Sequence, residues 1–163
     1  LADTYAFTGT VTGAGESNVP YFKAFNNAAF TFSQNTTTIM RMNTVAFESN
    51  SGSFSTSNYN FTVPSGEGGK YFLTASMRLN GTTNNWAGLY FFVDGTETVF
   101  ANVEARDDYN VDTFLTGSGI VNLSAGAVVD CRVYYTHSSP QLEGASYSYG
   151  RYSYFSGFKI SST

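Results

Sequence analysis

Charge is scarce in this chain. Lys, Arg, Asp and Glu together supply 12% of its 163 residues, where about 25% is usual for a soluble domain. The net charge is −4 and no basic run occurs, which argues against nucleic acid or an anionic membrane surface as a partner. Cysteine is almost absent as well. Cys131 is the only one, so no internal disulfide can form and the chain does not read as a disulfide-stapled secreted domain. In VVDCRVYY it alternates with Val129, Val133 and Tyr135, the setting of a small buried apolar residue. No apolar stretch reaches transmembrane length, and no signal-peptide pattern is visible. The chain begins at Leu1 rather than Met, as expected of a fragment, a processed product or a renumbered chain.

Aromatic residues are abundant: 12 Tyr and 15 Phe raise their share to 17%. That is more apolar bulk than one small core needs. The excess fits either intersubunit surface or a thick all-β core with Tyr rings on its faces. Four Asn-x-Ser/Thr sequons occur, at Asn35, Asn60, Asn80 and Asn122. Chance produces several in a chain this rich in Asn, Ser and Thr, so they do not by themselves indicate glycosylation.

The pattern is that of strands throughout, and no segment reads as a helix. In NFTVPSGEGGKYFLTASMRLN, residues 60 to 80, apolar residues occupy 71, 73, 75, 77 and 79, with Thr74, Ser76, Arg78 and Asn80 between or after them. A two-residue period predicts a strand with one buried face. The Pro and Gly cluster before it is a turn signal. Further strands are expected at 5–12, 21–25, 29–32, 39–47, around Phe54, at 86–93, 98–103, 114–123, 128–136 and 152–160. Asp94-Gly95, in LYFFVDGTETVF, is a strong hairpin signal because both residues tolerate positive φ. In the last segment Tyr152, Tyr154, Phe158 and Ile160 share one face, which is expected to point into the core. Many short strands with turn signals between them indicate a sandwich or jelly roll. The GAGES stretch reads as a linker. The expected division is therefore an N-terminal strand and linker over 1–18 and one domain over 19–163.

Three features carry a family resemblance: Phe54 and Phe61 followed by Gly69-Lys70-Tyr71, the hairpin at Asp94-Gly95, and the closing Tyr154-Phe155-Ser156-Gly157-Phe158. Together they resemble the C1q-like domain of the C1q and tumour-necrosis-factor superfamily over residues 20–160. Leu73 and Ala75 stand where the family usually carries aromatics, and SGEGG holds extra residues. The collagen repeat and cationic patches of animal members are absent. The Asn/Ser/Thr-rich, Cys-poor style is similar to C1q-like modules of bacteriophage fibre and virion proteins. The resemblance implies an all-β jelly-roll β-sandwich of about ten antiparallel strands, closing as a homotrimer. Phe54, Phe61, Gly69, Tyr71, Phe155, Gly157 and Phe158 form its core motif.

Catalytic chemistry finds little support. His137 is the only histidine and lies in YTHSSP, where it reads as a solvated loop residue. A Ser-His-acid site needs a nucleophile and an acid beside it. No Gly-x-Ser-x-Gly elbow exists, and the acids single out no glycosidase-like pair. GEGGK lacks the first Gly and the Lys-Ser/Thr of a phosphate loop. The run DDYNVD, with Asp107, Asp108, Asn110 and Asp112, has the alternating oxygens of a calcium loop, but Thr113 and Gly119 stand where an EF-hand needs Gly and Glu. Calcium is thus an expectation attached only to that loop, and no other cofactor is expected. Trp86 follows Asn84 and Asn85. It reads either as a core residue opening a strand or as a ring that stacks on a sugar, with the amides reaching hydroxyls. Tyr147 and Tyr149 carry a similar ambiguity, and His137 borders the same candidate glycan surface.

Three readings follow. The first is a non-enzymatic, trimeric module on a virion, as fibre, spike or capsid decoration, attached to other virion proteins through its N-terminal side and binding host-surface glycans or stabilising the shell. The second is a soluble C1q-type recognition lectin. The third is a jelly-roll carbohydrate-binding module of a secreted enzyme. What precedes Leu1 separates them: a shaft or capsid anchor, a collagen repeat, or a hydrolase domain.

Overall fold

A computed structural model describes residues 19–80, 86–103, 113–144 and 152–162. The N-terminal strand and linker expected over 1–18 lie outside the described residues. The described chain is all β, in two antiparallel sheets. Sheet 1 holds β1 (Tyr21–Phe25), β2 (Phe30–Thr31), β4 (Thr44–Glu48), β7 (Gly69–Leu79), β10 (Thr113–Leu123), β12 (Gln141–Leu142) and β13 (Tyr154–Ser162). Its main path runs β10-β7-β13-β1-β4, with β12 and β2 continuing beside β7. Sheet 2 holds β3 (Thr38–Ile39), β5 (Phe54–Ser55), β6 (Asn60–Thr62), β8 (Ala87–Val93), β9 (Thr96–Val103) and β11 (Val128–Tyr135). Four of these elements are only two residues long, which is why there are more of them than the ten strands expected.

Long strands form where period-2 apolar residues can face the opposite sheet. In β7 every odd residue from Gly69 to Leu79 is buried, including the expected core residue Tyr71. The β8–β9 hairpin turns on Asp94 (φ 50°) and Gly95 (φ 79°). Two positive φ values give the turn whose twist matches its strands. The two segments on either side of Pro64 do not pair, however. β6 joins sheet 2 beside β5 and β11, whereas β7 lies in sheet 1, so the SGEGG stretch crosses between layers.

The core between the sheets is centred on rings. Phe22 stacks on Phe61 at 4.3 Å and on Phe54 at 5.5 Å, and meets Phe155 edge-on at 4.9 Å. Phe91 stacks on Phe155 at 5.6 Å. Gly157 keeps this cluster tight. A Cβ there would fall 2.8 Å from the Leu73 side chain and 2.9 Å from the Phe22 ring.

The face of β13 differs from expectation. Phe155, Gly157 and Lys159 point inward, whereas Tyr154, Ser156, Phe158 and Ile160 point outward. Phe158 is therefore not a core residue of the single chain; it is 36% exposed. Alternation identifies two faces but does not say which is inside. The inward set was disguised by Gly157, whose missing side chain makes room for Phe22, and by Lys159. The Lys159 ammonium is held at 2.9 Å by the Glu67 carboxylate at the sandwich end.

Candidate functional site

The strands set two ends. At one, the base, Gly69 pairs with Ser162, and the Lys159 amide donates to the Pro20 carbonyl at 3.0 Å. The domain's first and last strands therefore meet there. At the far end lie Leu79, Trp86, Tyr135 and His137, and the strand ends flanking 81–85, 104–112 and 145–151.

The outer face of sheet 1 is graded between these ends. Near the base, Tyr21, Phe158, Phe72 and Ile120 stand in one register row across β1, β13, β7 and β10. The Phe72 and Phe158 rings lie 5.5 Å apart, and Tyr21 meets Phe47 edge-on at 6.0 Å. The middle rows are hydroxyls. Ser156 donates to the Phe22 carbonyl, Thr74 to the Gly117 carbonyl and Thr116 to Ser76. Towards the far end the Arg78 guanidinium lies 4.4 Å from the Tyr152 ring centre and 6.0 Å from that of Phe114. Among the described residues, all the large hydrophobics that are substantially exposed (Tyr21, Phe47, Phe114, Ile120, Phe158 and Ile160) belong to this one face; Ile120 is 64% exposed.

Sheet 2 also turns rings outward, but it covers them itself. Trp86 packs edge-on against Tyr134 at 4.9 Å. Arg132 lies 3.9 Å over the Phe92 ring and is gripped through two nitrogens by Asp130, at 2.6 and 3.0 Å. That hydrogen-bonded partner raises the Arg132 pKa. Tyr90 lies back over Gly88: a Cβ at Gly88 would fall 2.7 Å from its hydroxyl. Burial first, then Glu97 and Tyr134, pushes the Tyr90 phenol up. On the inner side Cys131 is buried, and burial pushes its thiol far from ready ionisation.

Of the residues singled out in the sequence, Phe54, Phe61, Tyr71 and Phe155 are buried core rings, and Gly69 and Gly157 are closely approached by neighbours. Trp86 is half-buried, just before β8, on the outer face of sheet 2; it is neither a core residue nor a freely solvated one. Its amide donates to Thr136 Oγ1 at 2.8 Å, and its carbonyl accepts from the Thr136 amide at 3.0 Å. His137 is not the solvated loop residue expected: it is 6% exposed. Its ring stacks on Tyr135 at 5.5 Å, and its Nδ1 accepts from the Ser139 amide at 3.1 Å. The turn into Pro140 folds it onto the last core ring of β11, and its bonded partner is backbone rather than a nucleophile. Asn84, Asn85, Asp107, Asp108, Asn110, Asp112, Tyr147 and Tyr149 lie outside the described residues. Among the described residues no group of three or more His, Cys, Asp or Glu side chains gathers as a metal site. Sequence reading missed the outer strip of sheet 2, although Trp86-x-Gly88-x-Tyr90-x-Phe92 repeats every second residue.

No family model matches the sequence, and no curated protein matches it. Solved structures do match the fold. The globular domain of zebrafish complement 1qA protein is 16% identical, with 88% of this chain and 99% of that one covered at a TM-score of 0.66. The Eiger TNF of S. frugiperda is 9% identical, with 88% and 93% covered at 0.60. Murine APRIL at pH 5.0 is 9% identical, with 86% and 98% covered at 0.62. With two antiparallel sheets in the same arrangement as these domains, the chain has the C1q/TNF-like jelly-roll fold.

Proposed function

We propose that this chain is a non-enzymatic, homotrimeric module displayed on a virion, as part of a fibre, spike or capsid decoration, where it contacts a host-surface glycan or stabilises the shell. One observation carries the trimeric part: the exposed large hydrophobics of the described chain all lie on the outer face of sheet 1. An apolar face of this kind on a soluble domain marks an interaction site, and closed symmetry lets every copy cover its neighbour's. The likeness of fold to C1q and TNF domains supports the same reading. The non-enzymatic part is supported by His137, whose Nδ1 is committed to a backbone amide.

The virion placement rests on the Cys-poor, Asn/Ser/Thr-rich style of the sequence. It is also consistent with both domain ends meeting at the base, which leaves the far end free to face outward from a particle. Light scattering on the whole chain at micromolar concentration should give three times 17.7 kDa. A monomer overturns the trimer. Antibody against the chain should decorate virions in electron micrographs of lysates from cells producing it, and unlabelled particles would remove the virion placement while leaving the trimer intact.

A further inference from the structure

We infer that the outer face of sheet 2 is a binding strip for a neutral oligosaccharide, laid along β8 from Trp86 past Gly88 to Tyr90, with Tyr134 and Asn35 at its side. Strand residues two apart share a face, so Trp86, Gly88 and Tyr90 are successive positions on one surface. Across β11, Gly88 pairs with Tyr134, whose ring touches Trp86. Gly88 has no side chain where Tyr90 lies. With the Tyr90 hydroxyl and ring carbons 2.7 to 3.0 Å from where a Cβ would be, the ring is laid down along the strand and not raised away from it. Tyr90 is half-buried, so part of the ring laid along the strand remains accessible. Ring faces carry the negative part of the aromatic quadrupole, which suits the C–H side of a pyranose. From Trp86 to Tyr90 the strip spans about 13 Å at strand rise, the length of a short oligosaccharide rather than of one sugar.

Rigidity and polarity fit the same ligand. Trp86 is pinned through its amide and its carbonyl to Thr136. Asn35 is fixed beside the strip: its amide donates to the Tyr135 carbonyl, and its Oδ1 accepts from the Tyr134 hydroxyl at 3.4 Å. Hydroxyl and amide groups thus stand next to ring faces, the mixture that orients a polyol. Charge argues against an anion. Among the described residues of this face the cation is Arg132, already gripped by Asp130, and the whole chain carries −4. The strip lies on the sheet opposite the apolar face assigned to trimer contact, so three strips point outward and engage a repetitive glycan together. This inference rests on reading the chain as a surface-recognition module, but it does not need the virion placement.

Trp86 is the only tryptophan, so its emission reports on the strip without labelling. The whole chain is titrated with neutral hexasaccharides of glucose, mannose, galactose, xylose and N-acetylglucosamine, and with a sulfated hexasaccharide as the anionic arm. The expected result is a saturable emission change with at least one neutral probe. Tyr90→Ala should weaken it about tenfold. Gly88→Ala, whose Cβ would meet the Tyr90 ring first, should weaken it comparably. Melting and light scattering confirm that both variants are folded and that their assembly matches the parent. No response to any neutral probe overturns the strip, as does a response to the sulfated probe alone or one that both variants keep in full. Because mass is read on the same samples, loss of the strip and loss of the trimer are separate results.

Discussion

Both outer faces of the sandwich carry aromatic rings, and they treat them in opposite ways. On sheet 1, Ile120, Phe114 and Phe47 stand 64%, 53% and 46% exposed, and the rings that touch one another do so across the face without covering it. On sheet 2, the outward rings among the described side chains lean on neighbours of the same chain: Trp86 on Tyr134, Phe92 under Arg132, Tyr90 over Gly88. Carrying rings therefore does not by itself mark an assembly surface. What distinguishes it is whether the chain itself supplies the cover. Sheet 1 leaves its large apolar side chains uncovered, which is the observation behind the proposed trimer, while the described rings of sheet 2 find partners within the chain.

The most damaging test of this contrast acts on assembly. Ile120→Ser with Phe158→Ser removes two large apolar side chains from each of three copies. Each contributes about 1.5–3 kcal/mol when fully buried. Light scattering should fall from the trimer mass to that of one chain. Phe92→Ser on sheet 2 should leave the mass unchanged. If both variants stay trimeric, or both dissociate, the two faces are not different in kind.

Next in size is a comparison across the thickness of β13. Phe155→Ala empties the centre of the ring cluster and should cost about 3–5 kcal/mol in urea denaturation. Phe158→Ala, measured in an Ile120→Ser background under dilution that light scattering shows to be monomeric, should change stability by no more than about 0.5 kcal/mol. Equal costs would mean that the outward side of sheet 1 is already packed within one chain.

How legible this was depended on how local the cause is. The alternation of β7 and the Asp94-Gly95 turn are set by neighbouring residues, and both appear where the sequence predicts them. The inward side of β13 is decided by distant contacts, Phe22 into the space at Gly157 and Glu67 to Lys159. Nothing within YSYFSGFKI records those. β12 is two residues after Pro140, too short for any period to show. Burial of His137 comes from the ring of Tyr135 beneath it, although its loop reads as polar. Tyr90 lying over Gly88 could have been suspected from the spacing, but the direction in which the ring lies could not.

Alkaline pH gives a smaller effect, on the buried side of the comparison. Burial, and secondarily Glu67, raises the Tyr71 phenol above its ordinary value of 10.0. An acid whose folded pKa is raised is held neutral by the fold. Its contribution is full below the unfolded pKa and is lost as pH rises above about 10. Tyr71→Phe should cost about 1 kcal/mol at pH 7, through loss of the 2.6 Å bond to the Glu67 carbonyl. It should also make stability fall less steeply than in the parent between pH 10 and higher values. Parallel pH curves would show that Tyr71 is not the group that senses alkali.

The smallest expected effect probes how firmly sheet 2 covers itself. The side chains of Arg132 and Asp130 are 21% and 9% exposed, so their pair lies between a surface bridge and a buried one. A double-mutant cycle with Asp130→Asn and Arg132→Leu separates the pair's coupling from the cost of leaving one charge alone. Coupling of about 1 kcal/mol or less is expected, as for exposed pairs, and 1 M salt should reduce it. Arg132→Leu alone should cost more than the double variant, because it leaves the Asp130 carboxylate shielded from water without its partner. Throughout, the mass should stay that of the parent, since Leu in place of Arg still covers the Phe92 ring. A change in assembly from this one substitution would show that charge, and not self-cover, keeps sheet 2 from associating. The opposition between the two faces would then be electrostatic.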